Sequence, residues 1–425
     1  MFGSDNMLNL KYHTPEGVMD YLPEECMAKQ SIEKKIASAF ASYGYKTIKT
    51  PAFEYIDIYS QSAGDVSPQK LYKFFDAQGR ILALRGDITT SIARVMGTKY
   101  NDPLPARLCY VADAFRYDGA ASSLSSEFTQ AGIELIGDGS CEADAEAIIV
   151  TINALLSAGL DEFQIDIGQV EFFKGLAQQL GLDDEDFEKI RTMIDFKDSF
   201  SIAQVVEKYD ADKQIKELVC RMPYLFGGAE VLEEASAKNL NKRSADALEN
   251  LKNVYNIICS CGLEKYVSLD LGMLQSIDYY TGVIFKGVTY DVGFSVCGGG
   301  RYDSLIADFG KNMSAVGVAI GVNRVLSALV RQNKKIDTPK IDAVMITKPD
   351  FAKAMAAANV LRKKGYMIEN FYGDGCDIKE ALSFANERKI STVIASEGNE
   401  SIKLYKLDGS EKTISLCDIK EGMTL

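Results

Sequence analysis

The sequence predicts an α+β protein with a long helical insertion and a separate small α/β domain at its C-terminal end. Three stretches of the 425 residues carry this prediction. Arg107 to Gly137 alternates like two strands joined by a loop, and about 171–263 has a helical pattern almost throughout. The polar segment 331–340 then precedes alternating strands and helices over 341–425. We therefore expect a core domain over 1–330, a linker over 331–340 and a C-terminal domain over 341–425.

The two strands within Arg107 to Gly137 carry the first candidate binding residues. Arg116 shares a strand face with two alanines, because successive side chains point to opposite faces, and this leaves room for a ligand. On the second strand Gln130, Gly132 and Glu134 fall on one face, which suits a floor under a small polar ligand. An amphipathic hairpin with a solvated face explains the same pattern equally well.

Composition limits the classes of function. The formal charge is −13, so general binding of polyanions is not expected. No run of about 18 apolar residues is present, and the first 13 residues lack the apolar segment of a signal peptide. The nine cysteines form no framework, and the single histidine, His13, is far in sequence from the close pair Cys259 and Cys261. These features argue against a metal site or membrane span and favour a cytoplasmic location.

The helix and hairpin predicted before Arg107 are indicated by local sequence features. Pro23 begins a helix in which Ile32, Ile36 and Phe40 recur at helical spacing and should face the core, and Gly44 ends it. A hairpin is predicted over 71–84 with its turn at 76–79.

The helices and strands predicted after Gly137 are indicated in the same way. A helix is predicted over 141–158 and strands over 163–168 and 267–272. In the C-terminal domain the pattern predicts strands at 344–346, 367–369 and 392–394, helices at 351–364 and 378–388, and a final hairpin over 402–415.

Several segments resemble class II aminoacyl-tRNA synthetases of the histidyl type. Phe115 to Asp118 with Glu127 to Glu134 resembles motif 2, and Tyr45 to Glu54 around Pro51 resembles motif 1. Ala315 to Arg324 resembles motif 3, and Thr14 to Pro23 resembles the opening of these proteins. The resemblance covers nearly the whole chain. It implies a class II synthetase-type antiparallel sheet flanked by helices, and a homodimer built around motif 1.

The resemblance also implies roles for site residues. The segment from Leu84 to Arg94 matches the part of the family that holds a ligand's α-amino group, which gives that role to Asp87 and Thr89. Gly86 and Asp87 depart from the family's Pro and Glu. The alternative for Asp87 is an acidic residue that stabilises a helix N-terminus.

Further site residues come from two later segments and the central strands. Tyr279 and Tyr280 lie in Asp-Tyr-Tyr-Thr-Gly, where the family lines an imidazole pocket together with Gln130 and Glu134. Gln275 stands where histidyl-tRNA synthetases carry an Arg that faces the carboxylate and the α-phosphate. Arg116 and Arg324 are the matching nucleotide-site cations, interpreted here as vestigial. The Gly298-Gly299-Gly300-Arg301-Tyr302-Asp303 segment is characteristic of the group.

The family resembled here has two branches, the histidyl-tRNA synthetases and the regulatory subunits of ATP phosphoribosyltransferase. Two departures of this chain from the synthetase pattern distinguish between them. The motif 2 loop, 118–126, contains no cation, and position 275 has lost its Arg. Loss of one cation that stabilises developing phosphate charge typically costs about 2–4 kcal/mol in the barrier. The chain thus looks like the second branch, the regulatory subunits of ATP phosphoribosyltransferase, with no catalytic residues and no cofactor. Active histidyl-tRNA synthetase, or a diverged synthetase-like sensor module, is the alternative.

That branch implies the partners. A short-form ATP phosphoribosyltransferase catalytic subunit is expected, which the chain activates at the first step of histidine biosynthesis while taking part in histidine feedback. Free histidine is the expected ligand, and the homodimeric core is expected within a hetero-oligomer. The segment 341–425 holds 12 Lys and Arg against 13 Asp and Glu, so it attracts RNA little and tRNA is not an expected partner.

Overall fold

A computed structural model describes residues 10–59, 66–117, 125–274, 279–373, 377–398, 400–420, 422–423 and 425. They form two compact units, the first up to Asp337 and the second from Thr338. Among these residues no helix is both long and apolar enough to span a membrane.

The first unit contains twelve described strands and ten described α-helices. The strands are β1 (Lys46–Thr47), β2 (Phe53–Tyr55), β3 (Lys73–Phe75), β4 (Ile81–Leu84), β5 (Ala106–Phe115), β6 (Glu127–Ile136), β7 (Gln164–Gln169), β8 (Phe226–Gly227), β9 (Val267–Asp270), β10 (Val283–Val288), β11 (Cys297–Arg301) and β12 (Ala315–Gly321). The helices are α1 (Pro23–Ser42), α2 (Thr89–Thr98), α3 (Cys141–Ala158), α4 (Val170–Leu180), α5 (Asp184–Asp195), α6 (Ser199–Val206), α7 (Lys213–Arg221), α8 (Glu230–Ser236), α9 (Lys242–Ser260) and α10 (Val322–Arg331). Short 3₁₀ turns occur at Leu10–Tyr12, Ile56–Tyr59, Pro68–Lys70, Met222–Tyr224, Glu264–Tyr266 and Ala307–Phe309.

A sheet of nine described strands forms the centre of this unit, in the order β1-β5-β6-β12-β11-β10-β7-β9-β8. Within the run β5-β6-β12-β11-β10-β7 every adjacent pair of strands is antiparallel, as predicted. The sheet as a whole is mixed, because β1 pairs with β5 and β7 pairs with β9 in parallel. A parallel pair needs a long crossover, and the helices α4 to α9 supply it between β7 and β9.

The side chains of β5 and β6 divide between the two faces of the sheet. Leu108 pairs with Glu134 and Ala112 pairs with Gln130, so the predicted ligand-facing residues share one face. On the opposite face Ala131, Ile133 and Leu135 are buried in the main core, as predicted.

Helix α1 covers the core side of this sheet. Pro23 occupies its first turn, and Ile32, Ile36 and Phe40 are completely buried. The helix ends at Ser42, and Gly44 has a φ of +81°, a left-handed conformation that glycine adopts without a Cβ penalty. The helix prediction is confirmed at both ends.

A small second sheet in the order β2-β4-β3 lies in the same unit. Its β3–β4 hairpin is antiparallel, with Phe75 opposite Ile81 around the predicted turn. The segment between β4 and α2, which contains Asp87, follows this sheet.

The second unit is a small α/β domain built from β13 (Ala343–Ile346), α11 (Phe351–Lys363), β14 (Ile368–Phe371), α12 (Ile378–Glu387), β15 (Thr392–Glu397), β16 (Ser401–Lys406) and β17 (Glu411–Ser415). Its strand order is β14-β13-β15-β16-β17. The first three strands in this order are parallel, and β15, β16 and β17 form an antiparallel meander. The predicted alternation of strands and helices, and the final hairpin, are present.

Candidate functional site

A cavity of about 860 Å³ lies on the open face of the large sheet. It brings together eight of the nine predicted site residues, which are Asp87, Thr89, Arg116, Gln130, Glu134, Tyr279, Tyr280 and Arg324. Gln275 and most of the cation-free motif 2 loop, 118–124, lie outside the described residues. Residues from widely separated parts of the sequence therefore line one site.

Glu134 lies at the buried end of this cavity. Its side chain is 1% exposed, and the Thr89 hydroxyl donates to its Oε1 at 2.7 Å. The Tyr302 hydroxyl donates to the other carboxylate oxygen. Burial raises the pKa of Glu134 from its ordinary 4.5 to about 8, although both hydroxyl hydrogen bonds favour the charged form. Burial thus disfavours the charged form of this carboxyl.

Asp87 has a local structural role at the start of α2. Its carboxylate accepts from the Thr90 backbone N–H at 2.7 Å and from the Thr90 hydroxyl at 3.1 Å. Such side-chain acceptors satisfy free N–H groups in the first turn of a helix. The alternative reading of Asp87 as a helix N-terminal acid is thus realised, while the residue also lines the cavity. A role in holding an ammonium group remains a prediction.

Three tyrosines form one wall of the site. The Tyr279 and Tyr302 rings are stacked with centroids 5.7 Å apart, and Tyr280 meets Tyr279 edge-on at 4.7 Å. A Cβ on Gly300 would lie 2.8 Å from the Tyr280 ring, so the glycine run of β11 allows this wall to approach the sheet. On the floor, a Cβ on Gly317 would overlap a Glu134 carboxylate oxygen.

Two arginines line the more open part of the cavity. Arg116 donates from Nε to the Gly86 carbonyl at 2.7 Å, and its guanidinium lies 5.6 Å from the centre of the Phe128 ring. Arg324 donates to the Ser295 carbonyl at 2.8 Å. The guanidinium of Arg324 also lies 5.7 Å from the centre of the Phe294 ring. Each cation is thus positioned by a backbone carbonyl and an aromatic ring.

Gln130 supplies an independent sign of a ligand. Among the described residues its side-chain oxygen is buried without a hydrogen-bond partner. A buried polar atom without a partner is costly, and most such atoms in native proteins are satisfied. A donor on a bound ligand would satisfy this oxygen.

Comparison with known proteins identifies the family. A family model described as histidyl-tRNA synthetase matches residues 17–325. A protein from Acetivibrio thermocellus, named ATP phosphoribosyltransferase regulatory subunit, is 42% identical over 95% of this chain and 97% of its own length. A protein of the same name from Ruminiclostridium cellulolyticum is 40% identical over 94% of this chain and 96% of its own length. The chain belongs to the histidyl-tRNA synthetase family, in its branch of ATP phosphoribosyltransferase regulatory subunits.

Solved structures of this family share the fold. A Bacillus halodurans protein, described as an ATP phosphoribosyltransferase regulatory subunit/histidyl-tRNA synthetase, matches with a TM-score of 0.79 and 27% identity over 91% of this chain and 98% of its own. Histidyl-tRNA synthetase from Nostoc sp. matches with a TM-score of 0.76 and 20% identity over 96% of this chain and 98% of its own, which bears on the fold alone. The predicted class II synthetase-type fold is confirmed.

Three site residues of this family member had no predicted role. Tyr302 belongs to a segment characteristic of the group, but its hydrogen bond to Glu134 spans 168 positions and leaves no local signal. Asn323 accepts from the Thr129 backbone N–H at 2.9 Å and donates to the Tyr21 hydroxyl, so it ties the N-terminal arm to the sheet. Tyr21 thereby becomes part of the cavity wall.

The arm is also fixed at a second point. The Ser126 backbone N–H donates to the Gly17 carbonyl at 2.6 Å, directly before β6. Gly17 has a φ of +79°, and a Cβ there would overlap the Ser126 hydroxyl. Only glycine fits this contact without a shift of the arm or of Ser126.

Within the described part of the chain, no group of three or more His, Cys, Asp or Glu side chains is arranged to hold a metal ion. The cavity is lined by hydroxyl, carboxyl, amide, guanidinium and aromatic groups that can contact a ligand. It combines a deep, polar and aromatic end with a wider end that carries two cations.

Proposed function

We propose that this chain is the non-catalytic regulatory subunit of ATP phosphoribosyltransferase. It activates a short-form catalytic subunit at the first step of histidine biosynthesis and takes part in histidine feedback. Relatives with that name match it over nearly its whole length. The observation that carries the proposal is the cavity, which brings together the imidazole-side residues Gln130, Glu134 and Tyr280, while the sequence has lost cations at 118–126 and 275.

Free histidine is the ligand that we propose for the deep end. Glu134 accepts a hydrogen bond from an imidazole N–H, and its orientation is already set by Thr89 and Tyr302. The Tyr280 ring meets the imidazole from another side. The unpartnered Gln130 oxygen is available for a ligand N–H, and Asp87 with Thr89 is the proposed ammonium site.

The ligand carboxylate sets the affinity. Gln275 offers it a neutral amide where a synthetase would offer a charged bidentate arginine. A hydrogen bond to a charged group is worth roughly 1.5–3 kcal/mol, so we expect affinity about one to two powers of ten below that of a synthetase. Arg116 lines the same cavity and reduces this loss if it reaches the carboxylate.

Calorimetry with two variants tests the ligand. Glu134→Ala should abolish histidine binding, because it removes the imidazole acceptor, and Gln275→Arg should tighten binding. Phe351→Ala, in the second unit, is a control for general effects on the protein. Unchanged histidine affinity in Glu134→Ala would show that histidine acts elsewhere in the complex.

We also propose that the chain has no aminoacylation activity. Adenylation builds charge on phosphate oxygens, and two missing cations at about 2–4 kcal/mol each would slow turnover by several orders of magnitude. The assay is histidine-dependent exchange of pyrophosphate into ATP. Turnover at an ordinary synthetase rate would establish the second candidate, histidyl-tRNA synthetase, which the family model over 17–325 favours.

A homodimeric core is the proposed state of the chain before its partner binds. Directly after Pro51, the sheet of β2, β4 and β3 exposes aromatic side chains, including Phe53 and Phe74 in edge-on contact at 5.7 Å. An exposed aromatic face of this kind is typical of an interaction site. Light scattering should show at least a dimer alone and a larger hetero-oligomer with the catalytic subunit. A strict monomer would contradict the proposal.

The remaining features are proposed from sequence. We propose domain boundaries at 1–330, 331–340 and 341–425, and a cytoplasmic location, which the free thiols of all eight described cysteines support. The C-terminal domain, with a net charge near −1, is not proposed to bind tRNA.

A further inference from the structure

The helical insertion carries an exposed aromatic surface in addition to its buried core. Its members are four large aromatic residues with exposed fractions of 80, 75, 48 and 59%, which are Phe196, Phe200, Tyr224 and Phe226. We call these four residues the insertion patch. Single exposed apolar side chains are ordinary, but a group of large aromatic side chains on one surface indicates an interaction site.

The insertion patch consists of two segments, one with Phe196 and Phe200 and one with Tyr224 and Phe226. Lys197 contacts the second segment from within the first. The Tyr224 hydroxyl donates to the Lys197 carbonyl at 3.1 Å, and the Lys197 ammonium lies 5.2 Å from the centre of the Phe226 ring. Lys197 has a φ of +57°, which is uncommon for a residue other than glycine. These contacts link the turn between α5 and α6 to the start of β8.

Hydrogen bonds at the adjoining helix ends fix the backbone that carries Phe196 and Phe200. Phe196 follows the last residue of α5, and the Asp198 side chain accepts from the Ser201 backbone N–H at 3.0 Å to cap α6. Phe200 is the second residue of α6, whose Ile202 and Val206 face the core. Aromatic side chains on a preorganised turn lose little conformational entropy when they bind, which suits them as anchors of an interface.

The insertion patch lies at an edge of the large sheet. Phe226 belongs to β8, the last strand in the described strand order, which pairs only with β9 there. This edge is at the opposite end of the strand order from β1, which follows α1 in the motif 1 region. The insertion patch and the aromatic sheet of β2, β4 and β3 are therefore separate surfaces on separate elements.

The exposed area is large enough to matter for a complex. A large aromatic side chain buries about 150–250 Å² when covered, so the four exposed fractions correspond to roughly 400–650 Å². A standard protein interface buries about 800 Å² on each partner. The insertion patch alone would supply about half or more of one side of such an interface.

We propose that the insertion patch is the docking surface for the short-form catalytic subunit of ATP phosphoribosyltransferase, and this rests on the proposed function. A two-fold homodimer uses one self-complementary surface, for which the sheet beside Pro51 is the proposed site. A subunit that also binds a catalytic partner needs a second surface. The partner should present apolar side chains with a carboxylate near Lys197, whose ammonium lies beside the Phe226 ring of the patch.

The test compares a patch variant with a matched control in a mixing experiment. Phe196→Ser combined with Phe200→Ser removes the two most exposed rings, and Phe351→Ser removes a ring that is 54% exposed in the second unit. Binding to the cognate short-form catalytic subunit is measured by sedimentation velocity and calorimetry. We expect the patch variant to lose affinity by about 30-fold or more, as for truncated interface hot spots, and the control to bind like wild type.

Thermal unfolding, the homodimer mass and histidine binding are measured on every variant and should be unchanged, because the substituted side chains are exposed. Wild-type affinity in the patch variant would overturn the docking surface and leave the proposed function intact. Absence of binding by the wild-type chain would overturn the proposed function and the docking surface with it. A patch variant that dissociates into monomers would show that the second copy, and not the catalytic subunit, covers this surface.

Discussion

Replacement of Glu134 by Gln should change how the stability of the chain depends on pH. In the folded chain the pKa of this carboxyl is about 8, against an ordinary value of 4.5, because the group is buried. A carboxyl whose pKa is raised by folding keeps its proton up to a higher pH in the folded state than in the unfolded state. Stability of the wild type therefore falls as pH rises through the window between these two values. The Glu134→Gln variant has an amide that does not titrate at this position, so this contribution disappears.

The magnitude follows from the size of the shift. Each unit of pKa difference is worth about 1.4 kcal/mol, and the change between pH 5.5 and 8 covers slightly more than two such units. The free energy of unfolding of the wild type, taken relative to Glu134→Gln, should thus fall by about 3 kcal/mol over that interval. In the introduced Gln the amide oxygen accepts from one of the Thr89 and Tyr302 hydroxyls and the amide N–H donates to the other, which rotates to accept, so the heavy atoms keep their places.

The assay is thermal and denaturant unfolding of both proteins from pH 5 to 9, analysed as the difference between them so that other titrating groups cancel. Glu127→Gln, an exposed position on the same strand, controls for the loss of one carboxylate. A difference curve that is flat between pH 5.5 and 8 would refute the raised pKa. A carboxyl whose pKa was instead lowered by a cation would titrate below pH 4.5 and would also give a flat curve in this range.

Two further substitutions test the contacts around the cavity. Arg301→Met should destabilise the fold by about 3–5 kcal/mol at pH 7, because it leaves the buried Asp144 carboxylate unpaired. The loss should shrink at pH 5, since Asp144 has a pKa of about 6 even beside Arg301; denaturant unfolding at both pH values measures it. Gly317→Ala should cost about 1–3 kcal/mol and weaken histidine binding, because its Cβ would overlap the Glu134 carboxylate, whereas Gly298→Ala, with its nearest neighbour at 3.9 Å, serves as the control in thermal unfolding and calorimetry.

Sequence periodicity was sufficient where one face of an element is buried. Ile133 and Leu135 could be assigned to the core, and Gln130 and Glu134 to the cavity, because alternation along a strand fixes the face of every residue once one face is apolar. In the same way, helical spacing assigned Ile36 to the buried side of α1. Resemblance to a family then selected which of the polar faces forms the site.

Contacts between distant segments could not be obtained in this way. The hydroxyl of Tyr302 reaches Glu134 only because β11 and β6 both neighbour β12, which is a property of strand order and not of local pattern. For Asp87 the sequence allowed two roles, and the structure shows its carboxylate accepting from the Thr90 N–H in the first turn of α2, while the ligand role stays a prediction. The parallel edges of the sheet depend likewise on where the long insertion returns the chain.

The structure connects the cavity to the motif 1 segment through Arg85. This buried guanidinium donates to the carbonyls of Thr50 at 3.0 Å, Pro51 at 3.2 Å and Asp113 at 2.7 Å. The next residue, Gly86, accepts from Arg116 in the cavity wall. A ligand that drew Arg116 away from Gly86 would thus disturb the backbone segment beside Pro51, where we propose the homodimer contact. Linkage between binding sites is reciprocal, so the proposed ligand and a subunit contact at Pro51 would in that case change each other's affinity by the same factor.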